Sequence, residues 1–139
     1  MMVDKNVVAS RVEQLDKHLD KISSYCKLSY DDFLNDIISQ DVVEYNLFQI
    51  INHIIDIIEH IVVDEDYGLP ATSYEAAVIL SDKKIINEND LDLFKKMIGF
   101  RNIIGHEYIN INKEIVYNIL TNNLPEIKKI VSKIVQKFI

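Results

Sequence analysis

From about Asp41 to Asp64 the chain holds branched apolar side chains with only a few polar ones between them. Val42, Val43, Leu47, Ile50, Ile51, Ile54, Ile55, Ile57, Ile58, Ile61 and Val62 point in nearly every direction round a 3.6-residue helix. A helix apolar on all sides is buried on all sides. Its most apolar part, Ile50 to Val63, is interrupted by Asn52, His53, Asp56, Glu59 and His60, and is too short and too polar to span a bilayer. The segment is therefore expected at the centre of a helical bundle.

The rest of the chain reads the same way. Three glycines and two prolines in 139 residues leave few breakers, and apolar residues recur at helical spacing. Val8, Val12, Leu15, Leu19 and Ile22 make an amphipathic helix of roughly Val3 to Tyr25. Ser29 can cap a short second helix, Tyr30 to Ser39. After the loop Tyr67-Gly68-Leu69-Pro70, Thr72 to Glu75 has the form of a capping box opening a helix to about Ser81. Asn87 to Asp90 starts a fifth helix carrying Leu93, Phe94, Met97 and Ile98, and a last one runs from Lys113, kinked or split near Asn122, Asn123 and Pro125. No strand-type alternation, repeat or linker is visible. The expected fold is one all-α domain over 1–139, an up-down bundle of about five to six helices. Its 24 isoleucines, mediocre helix formers, require stability to come from burial.

Composition narrows function mainly through charge. The net charge is −7, and only Arg11 and Arg101 are arginines. A protein that coats nucleic acid by broad phosphate neutralisation needs a basic face, so any nucleic-acid contact here has to be local. The single cysteine, Cys26, excludes an internal disulfide and a cysteine-cluster metal site, and no base stands beside it in sequence. It reads as a buried structural thiol. With an N-terminus that lacks the pattern of a signal peptide, this points to a cytoplasmic protein.

The segment that could carry chemistry is Gly99 to Tyr108, which spaces Arg101, His106 and Tyr108 as Arg-x4-His-x-Tyr. Arg101 offers a permanently charged fork for phosphate, and His106 a proton donor or acceptor near neutral pH. Asn102 adds an amide that can orient a ligand or the imidazole. In an unbroken helix Arg101 and His106 stand about 140° apart, so Gly105 matters: a left-handed glycine at the helix end could swing His106 towards Arg101 or a neighbouring subunit. Read without further context, Arg101 could equally cap a helix end, with His106 and Tyr108 as half-buried aromatics at a bend. Elsewhere, His53, Asp56 and His60 form a polar stripe. Their spacing is not that of a helical zinc pair, so no metal site is expected. A hydrogen-bonded network, or support of Arg101 through Asp56, fits better. Lys128, Lys129, Lys133 and Lys137 make the one concentrated basic patch, with a solvated helix face as its default reading.

The motif resembles that of the HepT-like toxins of the HEPN superfamily. The likeness extends through Gln49 to Ile61, Tyr67 to Pro70, Ser73 to Ala76, Met97 to Asn102, Val116 to Leu120 and Asn123 to Pro125, covering most of the chain, with the first forty residues least distinctive. It implies an all-helical homodimer acting as a metal-independent RNA endonuclease with no cofactor. It also implies a partner, an MntA-type minimal nucleotidyltransferase antitoxin that transfers AMP to Tyr108. Arg101 and His106 would be the catalytic pair, with Asn102 as the supporting polar residue. Gly105 departs from the larger aliphatic residues common in the family. Metal-free cleavage can use the ribose 2′-OH as nucleophile, and wants an acid, a base and a cation for the phosphorane. One chain supplies a single motif histidine, so two copies meeting at one cleft would complete the set. The alternative is a catalytically silent helical module that scaffolds a nucleotidyltransferase.

Overall fold

The computed structural model describes residues 3–106 and 111–138, with Gly105 and His106 described in backbone only. Among these residues every regular element is helical. The helices are α1 (Lys5–Ile22), α2 (Tyr30–Leu34), α3 (Ile37–Asp64), α4 (Ser73–Asp82), α5 (Glu88–His106), α6 (Lys113–Asn118) and α7 (Leu124–Phe138). A 3-10 turn, Ser23–Lys27, follows α1. A π turn, Ile119–Asn123, joins α6 to α7 in one unbroken rod, so the described chain has six helical rods, the all-α bundle expected.

α3 is the hub. Leu47, Ile50, Ile58, Ile61 and Val62 are fully buried, and α1, α2, α4, α5 and α6 all pack against it. Seventeen of the isoleucines are buried, which settles how a chain of weak helix formers stays helical. Each fully buried side chain returns roughly 1.5–3 kcal/mol, against an intrinsic penalty below about 0.7. α1 lies antiparallel to α3. At one end the Val3 and Asp4 amides donate to Glu65 (3.0 Å) and Asp64 (3.1 Å), and Arg11 faces Asp56 midway. At the other end His18 meets Asn46.

The second helix is shorter than its pattern suggests, and α3 is longer. α2 stops at Leu34 because Asp36 caps a new helix, accepting from the Ser39 amide (3.2 Å) and the Ser39 hydroxyl (2.8 Å). The Gln40 amide then donates to the Phe33 and Leu34 carbonyls (2.9 and 3.0 Å) at the end of α2, the first of which also accepts from the Asp36 N–H (3.4 Å). At 28 residues α3 is long and apolar enough to cross a bilayer, so the short-run argument from Ile50 to Val63 does not describe the whole helix. Its burial among five other helices accounts for its apolarity instead.

α3 and α4 end alike. Tyr67 N–H donates to the Val62 carbonyl and Asp66 N–H to Val63; Ile85 and Lys84 repeat this on Leu80 and Ser81. These are Schellman ends whose left-handed positions hold Asp66 (φ 60°) and Lys84 (φ 61°) instead of glycine. α5 opens on a reciprocal cap, with Asp90 N–H on the Asn87 side chain (2.8 Å) and Asn87 N–H on Asp90 (3.1 Å). The expected break near Asn122 is the π turn. There the half-buried Cys26 thiol donates to the Leu120 carbonyl (3.5 Å). Burial pushes this thiol upward in pKa despite nearby Lys128, consistent with a structural role.

Because Ile58 is fully buried at the hub, Ile58→Ala should cost about 2–5 kcal/mol. Urea unfolding should show a lower midpoint at unchanged slope; an unchanged midpoint would contradict the hub assignment.

Candidate active site

Arg101 lies on α5 among the positions that face the core. Phe94, Met97, Ile98 and Ile104, its neighbours on the helical wheel, are all buried, while Arg101 itself is half-buried. A charged side chain on such a stripe is held where the helix leaves the core, with its stem packed and its head free. Its Nε and Nη2 both donate to the Asn102 side-chain oxygen (3.3 and 3.1 Å). Asn102 therefore restrains the guanidinium from the adjacent position without neutralising it. Among the described residues no carboxylate pairs with Arg101.

α5 continues through Gly105 to end at His106. The helix is thus not redirected at Gly105, and helical geometry sets Arg101 and His106 about 140° apart. Tyr108 lies outside the described residues.

Both ends of the second half of the motif are anchored at one place. Ile104 and Ile111 are buried and line a cavity of about 280 Å³ with Asp41, Glu44, Tyr45 and Phe48 of α3. Just beyond, Lys113 donates to the buried Glu44 carboxylate, tying the start of α6 to α3. A buried carboxylate without such a partner is costly, so this pair fixes the start of α6 beside α3.

The polar stripe of α3 has partners different from those expected. Asp56 pairs with Arg11 of α1 (Nε to Oδ2, 3.7 Å), so in this chain it is engaged by Arg11 and not by Arg101. Arg11, which has no evident role in the sequence, becomes its counterion. His53 stacks on His18, ring centroids 5.6 Å apart. The Asn46 amide nitrogen donates to the Val42 carbonyl (2.7 Å), which turns its oxygen to His18 Nδ1 at 2.8 Å. His18 Nδ1 therefore carries the proton and donates. His60 joins none of these contacts. Among the described residues no three His, Cys, Asp or Glu side chains converge as metal ligands.

The lysines of the last helix do not form one basic face. Lys133 pairs with Asp90 (2.7 Å), Lys129 borders a cleft with Asp90, Asp92 and Glu126, and Lys128 faces a groove with Asp16 and Asp20 of α1. Acidic neighbours screen them, and the solvated-face reading holds.

Four participants were not visible from the chain alone. Glu44 was hidden as one acid in an apolar run, and Lys113 as an ordinary helix start. His18 and Asn46 are twenty-eight residues apart, and no local spacing links them.

Comparison with known proteins fits this architecture. The sequence profile of the family described as Ribonuclease HepT-like matches residues 15–134. An mRNA nuclease HepT from Shewanella oneidensis is 31% identical over 102 residues, covering 73% of this chain and 77% of that one. A tRNA nuclease HepT from Aphanizomenon flos-aquae is 27% identical over 115 residues, 83% of this chain and 78% of that one. Among solved structures, a tri-AMPylated Shewanella oneidensis HEPN toxin in complex with MNT antitoxin superposes with a TM-score of 0.83. It is 26% identical and covers 92% of this chain and 96% of that one. The fold and these likenesses define a helical HEPN-type protein. More particularly, the chain belongs to the HepT-like ribonuclease family.

His53 has a pKa held below its usual value, first by burial and then by the charges of His18 and Arg11, against the opposing pull of Asp56. Its Nδ1 is buried without a partner, so an added proton there would find no acceptor. The unfolded chain takes up the proton first as pH falls, so this group lowers stability progressively below its ordinary value of 6.5. Thermal melts of wild type should lose more stability between pH 7.5 and 5.5 than those of His53→Gln. Equal losses would show that His53 does not carry the effect.

Proposed function

We propose that this chain is the toxin of a toxin–antitoxin pair, an RNA endonuclease working as a cytoplasmic homodimer without a metal or other cofactor. The family match over residues 15–134 carries this reading, and that range includes Arg101, Asn102 and His106. In the proposed reaction a ribose 2′-OH attacks the adjacent phosphate, the 5′ oxygen departs, and a 2′,3′-cyclic phosphate is left. Arg101 binds the phosphate and meets the charge of the phosphorane, with Asn102 holding its fork. His106 moves the proton. Two chains bring two histidines to one cleft, one as base and one as acid. Among the described residues Arg101 is restrained by a neutral amide and by no carboxylate, which supports this assignment, because its charge suits an anionic ligand.

Regulation follows from the same placement. The partner is an MntA-type nucleotidyltransferase that attaches AMP to Tyr108, two residues from His106. A bulky anion there competes for Arg101 and repels RNA phosphates. The relatives support this part of the reading: the solved Shewanella complex is of an AMPylated toxin with its MNT antitoxin.

Purified protein incubated with total RNA in EDTA should cleave it and leave cyclic-phosphate ends. Arg101→Ala and His106→Ala should each lose at least about a hundredfold in rate. Equal activity in all three samples would reveal a contaminant and sink the proposal. Incubation with the nucleotidyltransferase and ATP should add adenylate mass to the peptide containing Tyr108, and modification confined to other peptides would defeat that assignment.

A further inference from the structure

On the seam between α1 and α3 a row of side chains leads away from the motif. It begins at Tyr45, which lines the cavity shared with Ile104 and is 53% exposed. Tyr45 stands edge-on to His18 at 6.2 Å, and His18 lies nearly parallel to His53, their planes 26° apart. Past His53 comes Arg11 with Asp56. Tyr45 to Asp56 spans about 16 Å of helix rise.

The row has the chemistry of a single-strand binding site. Nucleobases stack on exposed aromatic rings whatever their identity, while an arginine takes the phosphate. Arg11 meets Asp56 through Nε alone, at 3.7 Å, and neither Nη has a hydrogen-bond partner among the described residues. The carboxylates that would repel a strand are largely answered, Glu44 by Lys113 and Asp56 by Arg11, leaving Asp41 at the cavity lip. His53, disfavoured as a cation, serves as a flat wall behind His18.

We infer that this row holds the RNA strand beside the cleavage site, with Tyr45 stacking a flanking base and Arg11 binding a phosphate beyond it. The inference rests on the ribonuclease reading of the motif. Asp56 acts in it as a positioning residue, holding Arg11 on the seam.

The test is direct binding of a fluorescent, non-cleavable 2′-O-methyl oligonucleotide to the full chain, read by anisotropy across salt concentrations. Tyr45→Ala should weaken binding about tenfold, with Tyr45→Phe restoring it. Arg11→Gln should weaken binding and make the salt slope shallower by about one contact's worth, roughly 0.7 for a single strand. Lys17→Gln, on an exposed part of the same helix, should change neither. Thermal melts and light scattering accompany each variant. An equal change from Lys17→Gln would show general electrostatics and overturn the inference. So would wild-type affinity in Tyr45→Ala and Arg11→Gln, absence of binding by wild type, or a changed oligomeric state in Tyr45→Ala, which would make the row a contact between copies. Expected binding behaviour without RNA cleavage would leave the row standing and remove the nuclease reading instead.

Discussion

The architecture depends on the burial of isoleucine along α3. These residues weaken the helix locally and stabilise it only when neighbours close round it, so the helix and its surroundings form together or not at all. The loss of propensity is a few tenths of a kilocalorie per residue; the gain from burial is several times larger. One consequence is cooperativity. Another is that several polar groups of α3 find partners from other elements: Asn46 with His18, Glu44 with Lys113, Asp56 with Arg11, and Glu59 with the Ser73 hydroxyl (3.0 Å). Those contacts place α1, α4 and α6 around the hub.

α3 thereby serves as a common wall. Its first third closes the cavity at Ile104 and Ile111, and its middle carries the aromatic and ionic seam with α1. The motif arginine stands on α5, packed against the same helix. Reactive groups set on rigid elements are held more closely than groups set on loops. Here Arg101 has that support from its own helix and from the amide of Asn102.

The fold was largely legible in the sequence because its main signal is periodicity, and α3, α5 and the last helical rod with its π turn follow from it. What misled was capping. Asp36 and Gln40 divide a continuous apolar pattern into two helices through side-chain hydrogen bonds that periodicity does not encode. The left-handed ends at Asp66 and Lys84 carry no glycine to announce them. For the candidate site, Arg101, Asn102 and His106 could be singled out because they are close in sequence. The partner of Asp56 was not, because two arginines stood at equal remove and only the antiparallel packing of α1 on α3 selects Arg11. Tyr45 was invisible for a related reason: its exposure depends on which neighbours cover α3.

An uninterrupted helix that bears both a wall of the motif cavity and a strand-holding row is a ruler. The separation between them is set by helical rise and does not change when loops move. If RNA lies along the seam, the bond cut stands at a constant number of nucleotides from the segment gripped, and selection is by reach and accessibility instead of by reading bases. Substrate choice would then belong to RNA shape, to which strands can lie extended across one face of the bundle. Relatives named for mRNA and for tRNA could share such a scaffold, since a stacking surface with one phosphate contact measures length and leaves the bases unread.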